Sequence, residues 1–323
     1  MKITDVIEAG IKGYSLVSFG WTLNNICQYR CSYCYAAPIL TNIFETKYKD
    51  KYKAVLKRLS LRNIPTFSMD ILGGEPTLHP NILDILEGLD NMKNCQEAFI
   101  TTNLVKPISF YEELNNKNFS KIGITASYHP EYDQGQFAKK YIELTKRTSL
   151  PINTSINLHK DKKHWPKTIK TIQTIVDNDL SVSLNFLFSV RDVYDSEYTP
   201  EFYKFFSQYI GHRDNETEID PVAFSEFDYL ADGVEVIKIP YVTDKGQQYL
   251  NENSIQKNEL NRFKGFYCTP LDWSIGLDGA FTNTCTGEVL DILGTNISKR
   301  IKCPVKNGCN CETMLCYHKS RIV

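Results

Sequence analysis

The sequence of 323 residues predicts an α/β fold built on a parallel sheet, followed by a small cysteine-rich region. Two observations lead to this prediction. Segments with the apolar pattern of buried strands alternate with amphipathic segments over the first two thirds of the chain. Six of the ten cysteines then lie between residues 263 and 323, where this alternation has ended. The chain is 42% hydrophobic, enough for one large core and a small appendage.

Six strand-like segments alternate with six helix-like ones. The strand-like segments are 15–23, 67–72, 97–101, 121–127, 152–158 and 182–188. The amphipathic segments are 45–61, 81–89, 109–115, 137–147, 165–178 and 201–210. Strands that alternate with helices in this way pair in parallel through right-handed crossovers.

Six β–α units, rather than eight, predict an open, partial (β/α)6 barrel of the TIM type. The carboxyl ends of the strands lie on the face where such barrels carry their functional sites. A flavodoxin-like open sheet is the alternative, because periodicity does not give the order of the strands.

The chain divides into a barrel at 1–215, a bridging segment at 216–262 and a C-terminal domain at 263–323. The bridging segment is acidic, aromatic and irregular, and then contains a strand-like stretch at 234–242 and a helix-like stretch at 249–263. In the C-terminal domain, two alternating runs meet at Asp278-Gly279, which predicts a β-hairpin with a two-residue loop.

Three cysteines stand close together after the first strand, in the stretch CQYRCSYCY. Cys27, Cys31 and Cys34 offer three thiolates on one short loop, and no fourth cysteine follows nearby. An iron–sulfur cubane has four irons to ligate, so three ligands leave one iron open to a group that is not protein. A zinc site would require a fourth ligand, and the closest histidine, His79, is far along the chain.

A glycine-rich turn follows the second predicted strand, in the stretch MDILGGEPTLHP. Gly73 and Gly74 let the backbone turn sharply and approach a ligand, and Glu75 can accept a hydrogen bond from an ammonium group. A plain strand-to-helix turn is the simpler interpretation of this stretch on its own.

Taken together, CxxxCxxC followed by an aromatic residue and GGE at the next strand end resemble the signature of the radical S-adenosylmethionine (radical SAM) superfamily. The resemblance implies the same partial barrel and a [4Fe–4S] cluster on Cys27, Cys31 and Cys34, whose open iron binds the methionine end of SAM. A reducing partner such as flavodoxin or ferredoxin then supplies an electron. SAM is cleaved to a 5′-deoxyadenosyl radical, which abstracts hydrogen from a substrate carbon.

The resemblance also implies cofactor contacts at the strand ends. Those expected to bind SAM are Tyr33 near the adenine, Gly73, Gly74 and Glu75 at the methionine amine, and Thr102, Asn103 and Ser127 on the ribose side, although the last three could equally cap helices.

Polar residues inside the apolar fifth and sixth strands need partners, which can be cofactor, substrate or a neighbouring strand. They are Asn153, Asn157 and Asn185, and we include Asn157 among the cofactor contacts. His129 and Glu131, just past the fourth strand, are candidates for proton transfer or for capping a turn.

The C-terminal cysteines resemble the SPASM or shorter twitch extension of radical SAM enzymes, in which a hairpin and a cysteine-rich tail bind auxiliary [4Fe–4S] clusters. Six cysteines are too few for two fully ligated cubanes, so one auxiliary cluster is expected. Its ligands are expected to be Cys268, Cys285, Cys309 and Cys311, with Cys303 as the substitute and Cys316 as a spare thiol. A structural zinc ion is the alternative.

Composition limits the partners and the compartment. The net charge is −1 and the pI about 6.6, so no basic field favours nucleic acid. No apolar stretch reaches the ~20 residues that span a bilayer. Ten cysteines without an apparent secretory signal favour a cytoplasmic protein.

Two substrate classes fit this chemistry. The first is a ribosomally made precursor peptide, and the second is a small molecule such as a sugar, nucleotide or amino-acid derivative. Whether the outcome is that of an oxidoreductase, a lyase or an isomerase stays open. A non-catalytic iron–sulfur or zinc-binding protein is the alternative outside this chemistry.

Overall fold

The computed structural model describes residues 3–6, 17–61, 64–187, 199, 201–202, 205, 239–243, 246–250, 265, 267–269, 272–283, 289–290, 301–302 and 317–320. Most of the barrel predicted from the sequence therefore lies in the described part. Much of the bridging segment and of the cysteine-rich tail lies outside it.

The described residues form two sheets. The strands are β1 (Ile3–Val6), β2 (Val17–Asn24), β3 (Phe67–Gly73), β4 (Cys95–Thr102), β5 (Ile122–Tyr128), β6 (Ile152–Leu158), β7 (Ser183–Phe186), β8 (Ile239–Thr243), β9 (Gly246–Leu250), β10 (Tyr267–Thr269), β11 (Asp272–Ile275), β12 (Phe281–Asn283), β13 (Val289–Leu290), β14 (Ile301–Lys302) and β15 (Tyr317–Ser320). The α-helices are α1 (Lys51–Leu59), α2 (Ile82–Asp90), α3 (Ile108–Asn116), α4 (Phe137–Arg147) and α5 (Trp165–Val176).

The larger sheet contains the predicted barrel. Strands β2 to β7 are all parallel and lie side by side in sequence order, and the described part of the sheet does not close on itself. The prediction of a partial barrel is confirmed. A flavodoxin-like sheet is ruled out, because its strand order reverses after the first two strands whereas this order does not.

Alternation along the strands separates the core from the cavity. In β3, Phe67, Met69 and Ile71 are buried in the main hydrophobic cluster, where the Phe67 ring meets Phe19 edge to face at 5.4 Å between centroids. In β5 the opposite face presents Thr125 and Ser127, which line a cavity at the carboxyl ends of the strands. The sheet therefore packs one face in the core and uses the other for polar groups.

The C-terminal hairpin joins the same sheet. Strand β11 pairs in parallel with β2 and antiparallel with β12, so the hairpin extends the barrel sheet beyond its first strand. The hairpin prediction is confirmed, but its loop has three residues rather than two. Gly276 N–H donates to Ala280 O at 2.9 Å, and Gly279 closes the loop with φ 79°.

The second sheet has the order β14-β10-β15-β1-β8-β9 and brings the N-terminal strand beside the C-terminal one. Strand β9 ends at Leu250, so the predicted helix-like stretch is wrong at 249–250, where β9 pairs with β8. The described helices include none long and apolar enough to cross a membrane.

Candidate active site

The three-cysteine loop leaves β2 and folds into tight turns. Cys27 and Cys31 are buried, Cys34 is partly exposed, and all three are free thiols. Cys34 N–H donates to Cys31 O at 3.1 Å, and Tyr29 N–H donates to Cys27 Sγ at 3.4 Å. The sulfur atoms are therefore held on one compact segment of backbone.

Arg30 stabilises this loop by hydrogen bonds to its backbone. Its guanidinium donates to Cys27 O at 2.6 Å and to Tyr29 O at 2.7 Å, and it also contacts Asn42 Oδ1. Its backbone N–H donates to the Tyr132 hydroxyl at 2.9 Å.

Gly73 and Gly74 let two backbone segments approach each other. Gly74 N–H donates to Asn24 O at 2.9 Å, and Glu75 N–H donates to Ile26 O at 2.7 Å. A Cβ at position 73 would lie 2.5 Å from Asn24 O, and one at position 74 would lie 2.2 Å from Ile26 O. The glycines thus serve the segment that leads into Cys27, besides lining the cavity themselves.

Glu75 is a buried carboxyl group with four hydrogen-bond donors. Oε1 accepts from the N–H and the hydroxyl of Thr77 at 3.1 and 2.6 Å, and from the Thr102 hydroxyl at 2.7 Å. Oε2 accepts from Asn103 N–H at 2.8 Å. Burial raises the pKa of Glu75, while these donors act to lower it.

Thr102 and Asn103 therefore serve the site rather than a helix. The alternative that they cap the following helix is wrong, because α3 begins at Ile108 with Pro107 at its N-cap. Asn103 Oδ1 accepts from Gln28 Nε2 at 2.8 Å, which links this strand end to the cysteine loop.

A ladder of polar side chains crosses β5, β6 and β7. Asn157 Nδ2 donates to Ser127 Oγ at 3.1 Å and to Tyr128 O at 2.8 Å, and Asn185 Nδ2 donates to Asn157 Oδ1 at 2.7 Å. The partners expected for Asn157 and Asn185 are thus found at least in part within the sheet.

The side chains of His129 and Glu131 contact the cysteine loop, while His129 O accepts from the N–H groups of Tyr132 and Asp133 in a local turn. His129 Nδ1 lies 3.0 Å from the Tyr33 hydroxyl and 3.5 Å from Cys31 Sγ. Burial lowers the pKa of His129 to about 4. Glu131 accepts hydrogen bonds from Ser32, and it lies 3.1 Å from His159 Nε2.

One cavity of about 590 Å³ collects these groups. It is lined by every barrel residue that the sequence assigned to cluster or cofactor: Cys27, Cys31, Cys34, Tyr33, Gly73, Gly74, Glu75, Thr102, Asn103, Ser127 and Asn157. Thr101, Thr125, Ser155 and Asn185 add polar groups to the wall. The volume is in the range of pockets that bind cofactor-sized molecules.

The three thiols of the cysteine loop are suitable ligands for a soft metal centre. Burial raises the pKa of Cys27, and it raises the pKa of Cys31 to about 12, and the nearby Cys34 raises both further. Sulfur ligands favour iron–sulfur clusters, and a bound metal takes them as thiolates. Among the described residues, the group whose ligand atoms lie within 4.8 Å of one another is Glu131, His159 and His164, and the three thiols are not in such a group. The imidazole nearest to them is that of His129, whose Nδ1 lies 3.5 Å from Cys31 Sγ.

The C-terminal cysteines are mostly outside the described residues. Cys268 lies in β10, of which only the backbone is described. Those outside the described part are Cys285, Cys303, Cys309, Cys311 and Cys316. The auxiliary cluster therefore stays a prediction.

His159, which contacts Glu131 and Tyr33, was not predicted from the sequence. It follows β6 directly, which is the same strand-end position that pointed to Thr102, Asn103 and His129. The carboxyl ends of parallel strands carry the functional sites of barrels, and this strand-end rule, applied to every strand, includes His159.

A partial barrel with three free thiols and a GGE turn at one cavity defines a class of protein. Residues 21–197, more than half of the chain, match the family model of the radical SAM superfamily. The chain therefore belongs to the radical SAM superfamily. Membership implies a [4Fe–4S] cluster, SAM and a source of electrons.

Curated relatives match over short stretches. Molybdenum cofactor biosynthesis protein moc-5 of Caenorhabditis elegans is 29% identical over 124 residues, 36% of this chain and 19% of that protein. The GTP 3′,8-cyclase of Thermodesulfovibrio yellowstonii is 26% identical over 100 residues, 31% of each chain. This chain thus spans less than a third of each of these relatives.

A solved structure supports the fold. Streptococcus suis SuiB bound to its precursor peptide SuiA is similar with a TM-score of 0.51 and 13% sequence identity. The match covers 87% of this chain and 63% of SuiB.

Proposed function

We propose that this chain is an enzyme that binds a [4Fe–4S] cluster through Cys27, Cys31 and Cys34 and cleaves SAM reductively. The observation that carries the proposal is that three free thiols and the buried carboxyl group of Glu75 share one cavity at the strand ends. The bound cluster and SAM would together supply a 5′-deoxyadenosyl radical, which abstracts hydrogen from a substrate carbon.

Glu75 is proposed to receive the ammonium group of SAM. Oε1 already accepts three hydrogen bonds, whereas Oε2 accepts one in the described structure and keeps acceptor capacity. Because its carboxylate is fixed by donors from Thr77, Thr102 and Asn103, it would bind without reorganising.

The remaining wall is proposed to hold the nucleoside end. Tyr33 is assigned to the adenine, and Thr102, Asn103, Ser127 and Asn157 to the ribose side. Ser127 and Asn157 are already hydrogen-bonded to each other, which keeps their polar atoms in fixed positions on the wall. Apolar Leu40, Leu72 and Leu187 complete the lining and would help to exclude water.

An auxiliary [4Fe–4S] cluster is proposed for the C-terminal region, with Cys268, Cys285, Cys309 and Cys311 as ligands and Cys303 as the substitute. A reductant such as flavodoxin or ferredoxin would supply electrons in the cytoplasm. An auxiliary cluster could accept an electron from the substrate, which favours a net oxidation or bond formation.

For the substrate, we propose a precursor peptide. SuiB, whose fold is similar, is described as bound to a precursor peptide, although at 13% identity the likeness concerns the fold. A small molecule is the second candidate, favoured by the curated relatives, since one is a GTP 3′,8-cyclase and the other a molybdenum cofactor biosynthesis protein.

Anaerobic reconstitution with iron and sulfide tests the proposal. The wild type should bind iron and, once reduced, release 5′-deoxyadenosine from SAM. The triple variant Cys27→Ala, Cys31→Ala, Cys34→Ala should lose about four irons per chain and all SAM cleavage. Glu75→Gln should keep its iron and bind SAM at least tenfold more weakly, the cost of one charge-assisted hydrogen bond.

Glu112→Gln is the matched control, because this exposed carboxylate pairs with Arg147 on the outer surface. It should behave as the wild type does. Unchanged iron and SAM cleavage in the triple variant would refute the proposal. Iron that remains after the triple change would belong to the C-terminal cysteines, and zinc in its place would refute the auxiliary cluster.

A further inference from the structure

Glu131 holds the three-cysteine loop at its middle. Ser32, which lies between Cys31 and Cys34, donates its N–H to Oε2 at 2.8 Å and its hydroxyl to Oε1 at 2.5 Å. One residue of the loop therefore engages both oxygens of one carboxylate. The Glu131 side chain is 18% exposed, whereas Ser32 is exposed to solvent.

His159 fixes the carboxylate from the other side. Its Nδ1 accepts a hydrogen bond from Asp161 N–H at 2.9 Å, so the ring proton of the neutral form lies on Nε2. Nε2 is 3.1 Å from Glu131 Oε1 and donates to it. The Trp165 indole N–H in turn donates to His159 O at 2.9 Å, which anchors this residue to α5.

These bonds decide between a hydrogen-bonded unit and a metal site. Ligand atoms of Glu131, His159 and His164 all lie within 4.8 Å of one another, and His164 Nε2 is buried without a hydrogen-bond partner in the described structure. A metal on His159 Nε2 would move the ring proton to Nδ1, where it would face the N–H of Asp161. Two donors would then oppose each other, so the hydrogen-bonded unit is favoured.

The unit also encloses Tyr33, the residue next to Ser32. The Tyr33 ring lies parallel to the His129 ring. It meets the His159 ring edge to face, with 5.4 Å between the centroids of Tyr33 and His159. Loss of the carboxylate would therefore free Ser32, the loop residue next to this aromatic wall of the cavity.

We propose that Glu131 is a positioning residue for the three-cysteine loop, which fixes Cys31 relative to Cys34 and places a negative charge beside their metal-binding thiols. The proposal rests on the proposed function in assigning a cluster to these thiols. Two effects follow from the contacts. The carboxylate takes the Ser32 N–H away from the sulfur atoms, and its charge opposes reduction, so both lower the reduction potential of a bound cluster.

The test compares Glu131→Gln and Ser32→Ala with the wild type and with Glu112→Gln. In the metal-free protein, alkylation of Cys34 should be about tenfold faster in Glu131→Gln, the loss of one hydrogen bond to a charged group. Ser32→Ala keeps the N–H bond, so its rate should be intermediate. In the reconstituted protein, Glu131→Gln should move the potential of the SAM-binding cluster to a more positive value and lower iron affinity or SAM cleavage by about 10- to 100-fold.

A merely structural role would change stability without moving the potential. Alkylation and potential like those of the wild type in both variants would refute the positioning role. Stoichiometric zinc on the wild type that is lost in Glu131→Gln would replace it by a metal site. If the wild type takes up no iron, the proposed function fails, while the alkylation rates still decide whether Glu131 holds the loop.

Discussion

Two buried ionisable side chains follow β3, and their surroundings differ. Glu75 has four hydrogen-bond donors, whereas His79 has one partner, Asn81 N–H on Nδ1, and its Nε2 finds none in the described structure. The His79 ring is instead enclosed by the edges of Phe44 and Tyr52. Burial lowers the pKa of His79 to about 4, and nearby Asp50 acts weakly in the opposite direction.

His79 should therefore make the fold sensitive to acid. Above the unfolded pKa of about 6.5 both states hold it neutral, and it contributes nothing to pH dependence. As the pH falls from there towards 4, the unfolded state binds the proton first, so unfolding becomes easier by at most about 3 kcal/mol.

Urea unfolding at pH 7 and at pH 4.5 measures this effect. His79→Asn keeps an acceptor for Asn81 N–H and has no ring to titrate, so its loss of stability between the two pH values should be smaller than that of the wild type. Equal losses in the two proteins would contradict the assignment.

The strand-end rule found much of the site from the sequence but not how it is connected. Thr102, Asn103 and Ser127 were predicted from their positions at strand ends and Asn157 as a polar residue inside an apolar strand, and all four line the cavity. The bond from Ser32 to Glu131 joins residues 99 positions apart, and no local pattern carries that information. His159 is different, because its position directly after β6 is a local signal that predicts it.

The ends of β2 and β3 act as one unit. Both strands continue their pairing beyond the sheet, through Gly74 N–H to Asn24 O and Glu75 N–H to Ile26 O. The cysteine loop starts at the next residue, Cys27. The position of the first thiol is therefore determined by how closely the GGE turn can approach β2.

Gly74→Ala should disturb this approach. Its Cβ would lie 2.2 Å from Ile26 O, and a backbone carbonyl cannot move aside as a flexible side chain could. We expect a loss of about 1–3 kcal/mol in the free energy of unfolding, as for an overpacked site, and reduced iron uptake on reconstitution.

Gly135→Ala is the matched control. Gly135 has φ 80° but no atoms within 4 Å of an added Cβ, so the substitution costs backbone strain of about 1 kcal/mol and leaves the cysteine loop in place. Iron uptake that falls equally in both variants would contradict the role given to Gly74.

The individual elements were largely predictable, because apolar periodicity records which face of a segment is buried. The predicted strand 152–158 and helix 137–147 agree with β6 and α4 at both ends. The pairing of β11 with β2 was not predicted, since a pattern shows that a residue is buried but not against what. The three-residue hairpin loop likewise depends on Gly276 pairing with Ala280, which the Asp278-Gly279 signal does not specify.

At the scale of the whole molecule, the C-terminal hairpin and the barrel share a core. Phe281 of β12 is fully buried, and its ring meets Phe19 of β2 at 90° with 5.7 Å between centroids. Arg58 of α1 also donates to Gly279 O at 3.1 Å. The hairpin is thus packed into the barrel as a further part of its sheet.

Phe281→Ala should therefore destabilise the barrel itself. Removing a fully buried phenylalanine costs about 3–5 kcal/mol, and we expect one cooperative transition at a lower denaturant midpoint. Val176→Ala on α5, whose side chain is 47% exposed, should change stability by less than about 0.5 kcal/mol. An unchanged main transition in Phe281→Ala, with a separate early one, would show that the hairpin unfolds independently.

The pairing of β11 with β2 has a consequence for how the chain folds. Asp272 lies opposite Ser18, so the strand that opens the barrel acquires this neighbour only after most of the chain has been synthesised. Contacts between such distant residues carry a large loop-closure cost and slow folding. We expect the nascent barrel to expose one edge of β2 until the hairpin has been synthesised. The emergence of residues 272–283 from the ribosome is then the step that protects β2 from pairing with other chains.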